Sequence, residues 1–202
     1  MARIRTFIAI ELARPIREQL VALQESLGEA APDVKWVEPE NLHVTLLFLG
    51  EVEDREIPAV CRAVQEAAAS HPTFAMTVER VGCFPNPRRP RILWAGIGSG
   101  LQDVVAIHDA IESPLLELGH YRREERKYTP HVTLGRNRSE GPAHALQQAL
   151  AQEAGWTGGE QTVSEVLVMA SDFGGQVKSG EVLSRGPKYT VLGRARLGGA
   201  SR

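Results

Sequence analysis

Short apolar runs alternate along the chain with stretches whose apolar positions recur every three or four residues. The run Arg5–Leu12 predicts a first strand. Ile16, Leu20, Leu23 and Leu27 then lie on one face of a helix. Pro15 suits its first turn, where a missing N–H costs nothing, and Gly28 and Pro32 stop it. Leu42–Leu49, closed by Gly50, predicts a second strand. Pro58 opens a second helix with Val60, Val64 and Ala67 or Ala68 inward, and Pro72 follows it. Phe74–Val81 and Arg91–Ile97 predict strands separated by the turn-rich segment Phe84–Pro90. Leu101, Val104, Val105, His108 and Leu115 mark a third helix, in which Pro114 predicts a kink or break and Gly119 a C-cap. Val132–Leu134 lies in a further strand, Ala143–Ala154 forms a short helix, and Val163–Ala170 and Tyr189–Leu192 are late strands.

This order, with two adjacent strands that must form an antiparallel hairpin, predicts an α/β or α+β fold with a mixed or antiparallel sheet. No low-complexity linker divides residues 1–192, which read as one domain, and residues 193–202, rich in Gly, Arg and Ala, read as a flexible tail. No strand is followed by a glycine-rich phosphate loop, so the nucleotide-cofactor folds lose their support.

Composition narrows the function further. The chain has 202 residues, 43% of them hydrophobic and 24% charged, with a net charge of −2. That excludes the basic footprint of a duplex-binding protein and leaves a small anionic group or an RNA end as partner. Nineteen of the 23 basic residues are arginine, the side chain suited to forked phosphate contacts, although a compositional bias accounts for most of them. Two cysteines, Cys61 and Cys83, give no disulfide framework and no metal set, which suits a reducing cytoplasm. No stretch approaches the ~20 apolar residues of a membrane span, and the first residues lack the pattern of a signal peptide. A cytoplasmic monomer is expected.

The informative feature is a repeat. His43-Val44-Thr45-Leu46 recurs as His131-Val132-Thr133-Leu134, in a chain with only six histidines. On a strand, side chains alternate faces. His and Thr therefore share one face, and Val and Leu pack on the other. A duplication kept for packing alone explains the Val and Leu but not why the polar His and Thr also repeat. If the two halves are related by a pseudo-twofold axis, two imidazoles and two hydroxyls converge on one point. In-line displacement at phosphorus needs a proton taken on one side and given on the other, and imidazole does both near neutrality. The threonine hydroxyls can donate to non-bridging oxygens as charge moves. No carboxylates accompany the pair, and the other histidines show no ligand spacing, so neither a metal nor a cofactor is expected.

Around these motifs stand RTFIAIEL at the start, VKWVEPENLHVTLLFLG, VGCFPNPRRPRILWAGI, YTPHVTLGR and a late Lys-Tyr. With the duplicated H-x-T-x motif, they make the chain resemble the two-histidine (2H) phosphoesterase superfamily. It looks in particular like the RNA 2′,3′-cyclic phosphodiesterases, also known as 2′-5′ RNA ligases. The resemblance implies a bilobal, pseudo-twofold α+β fold in which two antiparallel β-sheets line a V-shaped cleft with helices outside. It implies hydrolysis of RNA 2′,3′-cyclic phosphate ends, or of small 2′,3′-cyclic nucleotides, to 2′-phosphates without metal. By the same resemblance His43 is the proton donor to the leaving 3′ oxygen and His131 the acceptor that activates water. The residues by themselves leave these roles exchangeable. An RNA-end binding protein, or a 2′-5′ RNA ligase with incidental hydrolysis, is the alternative.

Other candidates follow from position. Arg136, just past the second motif, could pair with phosphate, or be an exposed strand-end charge. Phe84, in the Gly/Pro segment, could line the cleft, and Tyr128 could stack on a base. Phe7 and Trp36 read as core. Arg88, Arg89 and Arg91, and Arg122, Arg123 and Arg126, are basic runs where an RNA backbone would fall if a strand docks. Pro130 fixes the entry into the second motif.

Overall fold

The computed structural model describes residues 2–119, 127–139, 143–172 and 186–198. The elements run β1 (Arg3–Glu11), α1 (Arg14–Gly28), β2 (Val34–Trp36), β3 (His43–Glu53), α2 (Ile57–Ala69), β4 (Phe74–Asn86) and β5 (Arg89–Ile97). There follow α3 (Leu101–Glu117), β6 (His131–Asn137), α4 (His144–Gln152), β7 (Thr157–Val163), β8 (Glu165–Asp172) and β9 (Lys188–Arg196). The strand order is β7-β4-β5-β6-β3-β1-β8-β9, antiparallel at every pairing, with β2 added to β6.

The mixed α+β class is as expected, but the two expected sheets are two halves of one hydrogen-bonded sheet. β7-β4-β5-β6 and β3-β1-β8-β9 meet through a single pair, Val44–Val132. Each half contributes its repeat strand to the seam, so the sequence duplication maps onto a duplicated four-strand unit.

The helices cover the apolar face. Ile16, Leu20, Leu23 and Leu27 of α1 are all buried, as are Val60, Val64 and Ala68 of α2. They join Val44, Leu46, Val132 and Leu134 in one cluster of buried side chains that runs through both halves. Pro114 does not break α3. It sits in the last turn, where its own carbonyl accepts from Leu118 N at 3.1 Å and Gly119 follows at φ 74°. Ile107 and Ile111, not Val105, complete the buried face.

Three boundaries differ from expectation. The Phe84–Pro90 segment is the end of a hairpin, not a loop. Phe84 pairs with Ile92 and Pro85 with Pro90, and Asn86 Oδ1 accepts from the backbone N–H groups of Arg88 and Arg89 to close the turn. The prolines fit because they stand at the extremity of the ladder, where few donors are needed. The tail begins later than predicted. Gly193–Arg196 continue β9, with Ala195 and Leu197 buried. Gly193 is there because α2 comes close: a Cβ would lie 2.7 Å from Cys61 Sγ. Strands β2 and β7 were not foreseen; β7 is a glycine-containing edge strand with only Gly158 and Val163 buried.

Candidate active site

Both repeats contain the same irregularity. Between Ile8–Leu47 and Ala9–Thr45 the register skips Leu46, and between Leu93–Gly135 and Trp94–Thr133 it skips Leu134. A bulge adds one residue and resets the alternation beyond it. The residue three positions after each threonine therefore returns to the His–Thr face: Phe48 in β3 and Arg136 in β6. At the second bulge the carbonyl left out of the ladder is satisfied from outside the sheet. Leu134 O accepts from Val37 N at 2.9 Å and from the buried Gln24 of α1 at 2.9 Å.

The histidines are held alike. His43 Nδ1 lies 2.7 Å from Asn41 O, and His131 Nδ1 lies 2.7 Å from Thr129 O. A carbonyl only accepts, so each Nδ1 carries the proton and each neutral ring presents a bare Nε2. His43 Nε2 accepts from the Thr45 hydroxyl at 2.9 Å. Among the described residues, His131 Nε2 has no such partner. Burial lowers the pKa of both rings, opposed in each by the backbone carbonyl. His43 is lowered further by the charge of His131 when that is protonated. The two imidazoles therefore feel each other across the seam.

The walls differ. Phe7 is 3% exposed, so it is core as expected, yet its ring packs on His43 at 5.0 Å and on Tyr189 at 4.9 Å. Tyr189 meets His43 edge-on at 5.5 Å. Phe48 joins this side, 6.0 Å from Phe7 and 56% exposed. Beside His131 stands Phe84, edge-on at 5.2 Å and backed by Trp94 at 5.3 Å. Trp94 lies flat because Gly82 has no side chain; a Cβ there would meet the indole at 2.3 Å. Arg136 is exposed and, with Arg5, lowers the Tyr189 phenol against the upward push of burial. Two cations, one from each half of the sheet, thus act on Tyr189, the ring that meets His43 edge-on.

The structure brings together His43, Thr45, His131, Thr133, Phe84 and Arg136. Trp36 packs against the core. Tyr128 stacks on His108 instead of presenting a free face, and its hydroxyl donates to Thr45 O at 2.7 Å. Arg88 and Arg89 stand at the β4–β5 turn and Arg91 on β5. Arg122, Arg123 and Arg126 lie outside the described residues. Sequence reasoning missed Arg5, Phe48 and Trp94, and placed Tyr189 in a late strand without a role in the site. Period-two alternation from Phe7 would have put Arg5 on the same face. Among the described residues, no group of three or more His, Cys, Asp or Glu side chains is placed to hold a metal ion, and no helix is long and apolar enough to cross a membrane.

The comparisons with known proteins agree. A family model described as LigT-like phosphoesterase matches residues 10–94. The RNA 2′,3′-cyclic phosphodiesterase of Aeropyrum pernix is 30% identical over 91% of this chain and 98% of its own length. That of Methanothermobacter thermautotrophicus is 29% identical over 96% of this chain and 100% of its own. Among solved structures, LigT of E. coli complexed with 3′-AMP superimposes with a TM-score of 0.73 at 27% identity, covering 97% of this chain and 99% of that one.

Proposed function

The chain belongs to the LigT-like phosphoesterases, the family of the RNA 2′,3′-cyclic phosphodiesterases, and from that membership we propose a paired-histidine hydrolysis of 2′,3′-cyclic phosphate ends to 2′-phosphates. The observation that carries the mechanism is the matched tautomer: both Nδ1–H groups are tied to carbonyls two residues upstream, so each ring presents an unprotonated Nε2, on two motif strands that are joined at Val44–Val132.

Water attacks phosphorus in line with the bond to the 3′ oxygen. His131, the less buried imidazole, accepts the water proton at Nε2 as the P–O bond to water forms. His43 in its protonated state delivers a proton from Nε2 to the 3′ oxygen as that bond breaks. A protonated Nε2 no longer accepts from Thr45, so the Thr45 hydroxyl is released to donate to a non-bridging oxygen, with Thr133 doing the same from the other strand. Arg136 pairs with the phosphate, and Phe84 lines the approach beside His131. We assign the chain to the cytoplasm as a monomer, with RNA 3′ ends or small cyclic nucleotides as substrates and no metal or cofactor in the proposed steps.

The test is turnover of an oligoribonucleotide ending in a 2′,3′-cyclic phosphate, in EDTA, with the product isomer identified. Multiple turnovers to a 2′-phosphate are expected. Tight binding without turnover would instead make the chain an RNA-end binder, and accumulation of 2′-5′-joined product over hydrolysed ends would make it a ligase. A substrate with sulfur in place of the 3′ oxygen separates the histidine roles. A thiolate leaves without a proton, so it should restore His43→Ala and leave His131→Ala inactive; the reverse would exchange the assignments.

A further inference from the structure

Among the described residues the two motif strands share one ladder pair, Val44–Val132. Each is otherwise fixed by strands of its own side of the seam, β3 by β1 and β6 by β5 and β2. A single pair is a weak constraint on how His43 and His131 stand relative to one another. Catalysis by two opposed groups is sensitive to that distance, because a misplacement of about 1 Å can cost ~100-fold in rate.

One side chain crosses the seam close to both histidines. Tyr128 stands one residue before Thr129, whose carbonyl orients His131. Its hydroxyl donates at 2.7 Å to the backbone carbonyl of Thr45, the residue whose own hydroxyl holds His43 Nε2. The ring cannot swing away, since it lies parallel to His108 of α3 at 3.9 Å and 5° between planes. His108 is itself fixed, buried at 7% exposure with Nδ1 2.8 Å from Asp109 Oδ1. Burial raises the Tyr128 phenol well above its ordinary value, so it stays a donor wherever the histidines titrate.

We infer that Tyr128 is a positioning residue that sets the separation of the two catalytic dyads by tying the segment leading into the second motif to the strand of the first. The inference rests on the paired-histidine reading. Tyr128 reaches neither substrate nor reacting atoms; its hydroxyl acts through Thr45 and its backbone through Thr129. A ring that merely filled the core would leave the hydroxyl dispensable.

The test is Tyr128→Phe, which keeps the ring on His108 and removes only the donor. On a cyclic-phosphate-terminated oligoribonucleotide, kcat is expected to fall about 10–100-fold with KM little changed, because orientation is lost but not binding. A kcat near wild type, or a loss that only tracks a smaller folded fraction by circular dichroism, overturns the inference. A second readout needs no turnover. In wild type, His131→Ala removes a neighbouring positive charge and should raise the His43 titration midpoint followed by imidazole NMR. In the Tyr128→Phe background the same substitution should raise it less, since the two rings are no longer held in register. An equal rise in both backgrounds overturns the inference, whereas turnover that survives His43→Ala overturns the mechanism and leaves this spectroscopic comparison standing.

Discussion

Replacing Thr45 with valine separates what its hydroxyl does for the fold from what it does for the reaction. Valine keeps the β-branched shape that a strand accommodates. Among the described residues the hydroxyl makes one hydrogen bond, at 2.9 Å to His43 Nε2. Losing one such bond costs about 0.5–1.5 kcal/mol net. In a protein of this size, that is a fall in Tm of roughly 1–6 °C. The reaction loses more. A donor aimed at charge developing on phosphate is worth ~10²–10³ in kcat, or about 2.7–4 kcal/mol of barrier. Thr45→Val should therefore be folded, slightly less stable and at least ~100-fold slower at saturating substrate. Thr133→Val should lose a similar factor with a smaller change in Tm, since its hydroxyl has no partner on the histidine beside it among the described residues. The assay is steady-state hydrolysis of a cyclic-phosphate end alongside thermal melting. A Thr45→Val kcat within about threefold of wild type, less than ~0.7 kcal/mol of barrier, would refute the hydroxyl's part in the transition state.

Other consequences are as direct. The free enzyme needs one charged and one neutral imidazole, and burial lowers both. The bell of kcat/KM against pH should thus be centred below the ordinary histidine value of about 6.5, with the kcat profile displaced upward once anionic substrate stabilises the charged form; a kcat/KM bell centred above neutrality would contradict this. Arg136→Ala should raise KM and the inhibition constant of inorganic phosphate by ~10–100-fold, the worth of a charge-assisted contact. Arg136→Lys should recover part of that loss by keeping the charge without the fork. Unchanged phosphate inhibition in Arg136→Ala would leave the arginine outside the site.

Much of this was legible in the residues. Alternation alone places His43 and Thr45, and His131 and Thr133, on one face, with Val44 and Val132 fully buried behind them. What alternation could not show is the bulge at Leu46 and Leu134, because a bulge is a property of the hydrogen-bond ladder and not of polarity. Without it, counting by twos puts Leu47 and Gly135 beside the threonines, and Phe48 and Arg136 on the wrong face. The proline-rich hairpin misled in a different way. Pro85 and Pro90 face each other at the ladder's end, a place that tolerates proline, so Phe84 reaches His131 from a strand and not from a loop. Tyr128 read as a base-stacking candidate and Tyr189 as the start of a late strand, but neither contact they make was legible, because the partners are remote in sequence: Thr45 for one, His43 and Phe7 for the other.

The central claim is that His43 and His131 act as one unit, each handling a proton in the same displacement. Its most direct measurement is kcat for His43→Ala, His131→Ala and the double variant on a 2′,3′-cyclic-phosphate oligoribonucleotide. Groups that work as a unit are strongly non-additive. Each single loss should cost at least ~10²–10⁴ in kcat, and the double variant should be little slower than the worse single. Losses that multiply in the double variant would show two independent contributions, and contradict the account.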